Sequence, residues 1–189
     1  KKFGPYRFEK IGYVVVPFNA GAMEHATNIA YMQALVNGYT QYESTMAHEL
    51  SHHWFGDLAT CETAGDMWLN EGWARYCEAI FLENLYNKER ANQDLRKSHE
   101  GVLRLAHIED NDYWSVANIP HQYTYARQSI YEHGSLATHT LRTYMGDSLF
   151  FHCVTAYLNT YSFTNVNSNT LKTFLSQCSG IDLSDFFND

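Results

Sequence analysis

Three side chains in one short stretch can together hold and use a metal ion: His48, Glu49 and His52, within His48-Glu49-Leu50-Ser51-His52. This is the H-E-x-x-H pattern. On an α-helix, positions i and i+4 lie one turn apart on the same face. Two imidazoles there converge on one tetrahedral ion. The residue after the first histidine points to the side, toward a water at that ion. A carboxylate at this place can take the water's proton.

Two histidines leave the ion short of a third protein ligand. A histidine-rich extension needs Gly three residues and His six residues after His52, but Phe55 and Leu58 stand there. The alternative is a glutamate from the next helix. Glu71 follows His52 with eighteen residues between them, in Trp68-Leu69-Asn70-Glu71-Gly72-Trp73-Ala74. A connection of about seven to ten residues lets that helix turn back on the first. Two His and one Glu leave a position open, as a catalytic zinc requires, whereas structural zinc sites are usually closed by four protein ligands. The plain structural alternative is a buried helix with satisfied core histidines and a surface Glu71.

These residues need helices to position them, and the patterning supplies them from Gln41 onward. The first helix is expected over about 42–55, stopped by Gly56. The second starts near Asp66, a plausible N-cap, with an apolar stripe of Trp73, Cys77, Ile80, Phe81 and Leu85. A more polar helix covers roughly 88–107, and 110–120 is a loop. A long helix over about 124–145 carries Ile130, Ala137, Leu141 and Tyr144 on one side. Shorter helices follow over 148–161, 168–178 and from Leu183. Before them, Tyr13-Val14-Val15-Val16 reads as a strand ended by Pro17. Asn19 to Ala22 is a loop, and 27–35 is a further strand closed by Asn37-Gly38. The fold class is α+β and mostly helical. The chain reads as one domain over 1–189, a β-rich part at 1–40 followed by a helical part at 41–189 that holds the metal site.

The chain has 189 residues, 45% hydrophobic and 18% charged, an ordinary globular balance able to bury a core. Its formal net charge of -8 argues against nucleic-acid or anionic-membrane partners and suits cationic ligands such as peptide amino termini. No apolar run approaches the ~20 residues of a membrane span. The residues Lys1 to Tyr6 lack a signal-peptide pattern. None of Cys61, Cys77, Cys153 and Cys178 forms a C-x-x-C pair, so a cysteine zinc site is not expected. Cys77 and Cys153, on apolar helical faces, read as buried free thiols. Glu78, seven residues past Glu71, is placed to orient His48 or His52, or to be a solvated carboxylate. Arg75, one turn from Glu71, is a structural ion-pair partner for it. The other histidines (99, 107, 121, 133, 139 and 152) show no ligand spacing and read mostly as surface or loop residues.

The run HELSHHWFGDLAT followed by WLNEGWARYCE resembles the aminopeptidase N family of zinc metallopeptidases, which are Glu-zincins. Gly21-Ala22-Met23-Glu24-His25 is similar to that family's G-A-M-E-N motif. Tyr131-Glu132-His133-Gly134 stands where the family carries its catalytic tyrosine. The resemblance covers nearly the whole chain, in order. It implies a thermolysin-like catalytic domain with one Zn2+ held by His48, His52 and Glu71. Glu49 would be the general base and Tyr131 a donor to the oxyanion. Glu24 would hold the substrate's free α-amino group, with the backbone of Gly21, Ala22 and Met23 lining the peptide. The family also has a β-rich domain before this region and a helical domain after it, so the chain resembles a truncated catalytic domain whose flanking domains are missing. Such peptidases often feed on external peptides, which favours a secreted or envelope location over the cytoplasm.

His25 departs from the family's Asn, His53 from Gln and Asp57 from Asn. The first adjoins the amine-binding carboxylate and bears on amino-terminal selectivity. The other two flank the metal helix and should remove no ligand. Three functions compete: an aminopeptidase, a thermolysin-type endopeptidase, and a non-catalytic homologue serving as a scaffold. Glu24 favours the first, since a carboxylate at the substrate entrance suits a free amine. A scaffold would normally have lost a ligand or the base, and here all are present.

Overall fold

The β-branched run Tyr13–Val16 forms strand β1. It belongs to a computed structural model that describes residues 2–188. With β2 (Ala22–Met23) and β3 (Ile29–Met32) it makes a sheet of order β1-β3-β2. The middle strand is parallel to β1, with Tyr13 opposite Ile29, and antiparallel to β2, with Ala22 opposite Tyr31. Ile29, Ala30 and Tyr31 are all buried, as a continuous apolar run covered on both faces must be. Two corrections to the sequence reading arise here. Ala22 opens a strand rather than sitting in a loop, and the strand expected over 27–35 gives way to a 3-10 turn at Gln33–Leu35.

The helices are α1 (Glu43–Ser51), α2 (Glu71–Leu85), α3 (Lys88–Glu109), α4 (Gly134–Met145), α5 (Asp147–Thr160), α6 (Ser168–Ser179) and α7 (Ser184–Asn188). α2 lies at the centre, packed on α1, α3 and α4. It is buried almost all round, through Trp73, Ala74, Tyr76, Cys77, Ala79, Ile80 and Leu82. Leu85, expected on its apolar stripe, is exposed. Trp73 is sandwiched between Phe55, at 4.7 Å, and Phe150, at 5.8 Å. Two phenols fasten the sheet to the start of the helical part: Tyr13 Oη donates to the Met46 carbonyl (2.8 Å) and Tyr31 Oη to the Tyr42 carbonyl (3.1 Å).

Three helix boundaries differ from expectation, each for a tertiary reason. α1 ends at Ser51, not Phe55. Beyond it the chain turns so that Phe55 drops onto Trp73, and Gly56 takes φ +145°, closed to most L side chains. The turn feeds β4 (Ala59–Cys61), which pairs in parallel with β5 (Thr164–Val166). These three-residue strands lack an apolar alternation and were not anticipated. α2 begins at Glu71 rather than Asp66, after a 3-10 segment at Ala64–Leu69. The Asp66 carboxylate instead accepts the Ser168 backbone N–H at the head of α6. The expected helix over 124–145 is two elements, a π-helix at Arg127–His133 and then α4. Tyr144, assigned to its inner face, is exposed.

Cys153 is not a free thiol: it forms a disulfide with Cys178 that ties α5 to α6. Cys77 is free and buried, as expected. No helix among the described residues is long and apolar enough to cross a membrane.

Candidate metal centre

α1 and α2 bring His48, His52 and Glu71 together. His48 Nε2 lies 3.2 Å from Glu71 Oε2, His52 Nε2 lies 3.2 Å from the same oxygen, and the two Nε2 atoms are 3.1 Å apart. All three residues are buried. Among the described residues they are the one group of His, Cys, Asp or Glu whose ligand atoms converge in this way. Two ligands about 2.05 Å from one tetrahedral ion stand about 3.3 Å apart. The observed triangle is close to that size.

The opposite ring nitrogens are already committed. His48 Nδ1 donates to Glu78 Oε1 (3.0 Å), and His52 Nδ1 donates to the Phe55 carbonyl (3.0 Å). With both Nδ1 atoms acting as donors, a neutral ring leaves Nε2 as a bare acceptor. Three acceptors then face one another, and only a cation or an added proton reconciles them. The metal-free electrostatics express the same demand. Burial works to lower the His48 imidazole, but hydrogen bonds to Glu71 and Glu78 overturn it and push it up to about 10. Burial works to raise Glu71, and the bonds from the two histidines hold it well below the usual carboxylate range. The donor set thus fits a divalent metal with histidine and carboxylate ligands.

Glu49 is buried beside the triangle, and its side chain has no hydrogen-bond partner among the described residues. Burial is the main cause that lifts its carboxyl to about 6, with His48 and His52 pulling the other way. Tyr131 comes from the π-helix, its ring stacked 6.1 Å from that of His48. Burial first, and then the Glu71 charge, hold its phenol well above the ordinary range. The close approach of that π-helix to α2 needs two glycines. A Cβ on Gly72 would lie 2.8 Å from Gly134 Cα, and one on Gly134 would lie 2.9 Å from Gly72 Cα.

Glu24 follows edge strand β2, its Oε1 4.0 Å from His52 Nδ1. Gly21 and Met23 are exposed and Ala22 is half-buried. Around Glu24 lie the three residues that depart from the family pattern. His53 is buried, with Nδ1 bonded to Tyr6 Oη at 2.9 Å and Nε2 3.7 Å from Asp57 Oδ2. Burial, then the neighbouring Glu24, lift Asp57 to about 6. His25 is exposed.

Two readings of single residues change. Arg75 does not pair with Glu71; its partners are Glu132, Asp94, Ser98 and Glu78. His139 is no surface residue, since it is half-buried with its Nδ1 bonded to Tyr76 Oη (3.0 Å). The sequence reading missed Glu132 and the Gly72–Gly134 contact. Isolated glycines inside helical patterns were the available signal for the latter.

A histidine pair at the end of one helix and a carboxylate on the next, against a small sheet, form a donor set of the kind that holds one catalytic metal ion. The chain belongs to peptidase family M1: the Peptidase family M1 domain matches residues 2–189. It is 30% identical to aminopeptidase N of Streptomyces lividans, over 94% of this chain and 22% of that protein. It is 31% identical to aminopeptidase N of Canis lupus familiaris, over 85% of this chain and 18% of that protein. The chain therefore spans about a fifth of the length of the curated relatives it matches. An M1 zinc metallopeptidase from Deinococcus radiodurans superposes with a TM-score of 0.81 at 27% identity, covering 99% of this chain and 40% of the other. Leukotriene A4 hydrolase from Saccharomyces cerevisiae shares the fold, with a TM-score of 0.87 at 17% identity over 99% of this chain and 31% of that one.

Proposed function

We propose that this chain carries the catalytic centre of a zinc-dependent aminopeptidase, which hydrolyses the amino-terminal bond of peptides. The observation that carries the reading is the joint placement of the His48–His52–Glu71 triangle, the buried Glu49 beside it and Glu24 at the sheet edge. His48, His52 and Glu71 hold the metal. When bound, zinc supplies Lewis-acid polarisation to a carbonyl and to water. Glu49 takes the proton of the attacking water and returns it to the leaving amine, a task suited to a carboxyl lifted toward neutrality. The Tyr131 hydroxyl donates to the oxyanion as it develops. Edge strand β2 offers its free backbone side to an extended peptide, and Glu24 receives the peptide's ammonium group. A relative supports the substrate class: an M1 zinc metallopeptidase from Deinococcus radiodurans was solved with a Tyr-Ser-Ala substrate bound.

Hydrolysis of aminoacyl arylamides and of amino-blocked peptides by the full-length protein tests this. Free-amine substrates should be cleaved and blocked ones left intact, with activity lost to a chelator and restored by zinc. Cleavage of blocked peptides alone would point to an endopeptidase. Zinc content near zero in metal-replete protein would remove both enzyme readings and leave the scaffold.

A further inference from the structure

We propose that Arg75 is a positioning residue that holds the metal-binding helices and the Tyr131 helix in one geometry; this rests on the metallopeptidase reading above. Its guanidinium lies in the core of a buried polar network. Nε donates to Glu132 Oε2 at 3.0 Å, Nη1 to Asp94 Oδ2 at 2.8 Å and Nη2 to Ser98 Oγ at 3.0 Å. Nη1 also lies 3.6 Å from Glu78 Oε2. One side chain on α2 thereby reaches α3 and the π-helix while flanking a carboxylate of its own helix.

Two of these contacts, to Glu78 and Glu132, end one step from the reaction centre. Glu78 uses its other oxygen, Oε1, to accept from His48 Nδ1. With Arg75 on Oε2, Oε1 is aimed at the imidazole, and the orientation of the ring fixes where its Nε2 lone pair points. On the far side, Glu132 adjoins Tyr131 in the chain and accepts a second bond from Ser98 Oγ at 2.6 Å. Neighbouring residues of a helix, the wider π-helix included, project in fixed relative directions about its axis. Anchoring Glu132 against α3 therefore sets the rotation that presents Tyr131 to the metal centre.

Arginine suits this place for a reason of shape. Three carboxylates surround it, and the side chains of Arg75, Glu78 and Glu132 are only 12%, 14% and 12% exposed. Such a cluster is tolerated only when every member is bonded. A guanidinium carries donors in several fixed directions, whereas an ammonium is a point charge.

The test uses the full-length zinc-loaded protein and three variants: Arg75→Gln, Arg75→Lys and Glu132→Gln. Zinc affinity is read by chelator competition, kcat and KM on an aminoacyl arylamide, and folding by circular dichroism. Arg75→Gln should weaken zinc binding about 10- to 100-fold, and lower kcat at saturating zinc with KM within about twofold. Arg75→Lys should recover part of both, because it restores charge without the fork. Glu132→Gln touches only the Tyr131 side, so it should lower kcat about 10-fold and leave zinc affinity intact. Folded variants that melt earlier but keep wild-type zinc affinity and kcat would make Arg75 a plain structural clamp and overturn the proposal. If Arg75→Gln fails to fold, the near-isosteric Glu132→Gln decides, and an unchanged kcat there overturns it. A wild-type protein with neither zinc nor arylamidase activity would overturn this proposal and the metallopeptidase reading together, whereas an active wild type with indifferent variants sinks this one alone.

Discussion

Burial gives Glu49 two consequences of opposite sign. Its folded carboxyl sits at about 6 against an ordinary 4.5, so ionising it in the folded chain costs free energy that the unfolded chain does not meet. That cost is absent below about pH 4.5 and complete above about pH 6. Glu49→Gln should therefore stabilise the metal-free protein at pH 7, by about 2 kcal/mol at most. The gain should vanish at pH 4, as thermal melts at the two pH values would show. The same substitution should abolish turnover while zinc content is kept. In the wild type, kcat/KM should fall as the pH drops through about 6 or lower, since protonation removes the base and a bound cation can only pull that value down. Tyr131→Phe should retain zinc and lose about 10²- to 10³-fold in kcat, the usual toll of one missing oxyanion donor. The convergence of His48 and His52 was legible because i, i+4 spacing is itself helix geometry, and Glu71 was legible as the carboxylate that a third position required. Glu24 and Tyr131 were legible only through likeness to a family, for nothing local marks one tyrosine among fourteen. Arg75 misled for the same reason that the histidines did not. Its i+4 spacing offers Glu71, but its hydrogen-bonding carboxylates stand 19 and 57 residues away.

α2 touches the π-helix and the head of α4 backbone to backbone, at Gly72 and Gly134. Gly72→Ala would put a methyl group 2.8 Å from Gly134 Cα, with backbone rather than a flexible side chain as the obstacle. Overpacking of this kind costs about 1–3 kcal/mol. The helices should part and carry Tyr131 away from Glu71, so Tm and kcat should fall together. The disulfide is the contrasting case. Cys153 and Cys178 close a loop of 25 residues between α5 and α6, and losing the bond should cost about 3 kcal/mol. Replacing both by serine should lower Tm, yet leave kcat at 25 °C unchanged, because neither helix supplies a residue of the metal centre. Helices with a strong apolar stripe were legible as elements. The π-helix was not, because its widened turn belongs to its packing against α2 and α3 rather than to the pattern of Arg127–His133. β4 and β5 escaped for a related reason: what makes them strands is each other, across more than a hundred residues.

At the scale of the whole chain, apolar surface lies open at the small sheet. Ile11, Val14, Val15, Phe18 and Met23 are each 40% exposed or more, and β1 is an edge strand. Residues 1–189 expressed alone should associate with rising concentration, and Val15→Lys on that edge should reduce the association, as light scattering would register. The core fares differently, for α2 both fills it and measures out the metal centre. His48 meets this one helix at both nitrogens, Nε2 facing Glu71 at 3.2 Å and Nδ1 donating to Glu78 at 3.0 Å, two turns apart. The imidazole is thus mounted at two points on a single rod, and the pitch of the rod is the gauge. Inserting one alanine between Arg75 and Tyr76 would swing Glu78 about 100° around α2. The H-E-x-x-H run and Glu71 would still be readable in the sequence, and the mount that holds His48 would be gone.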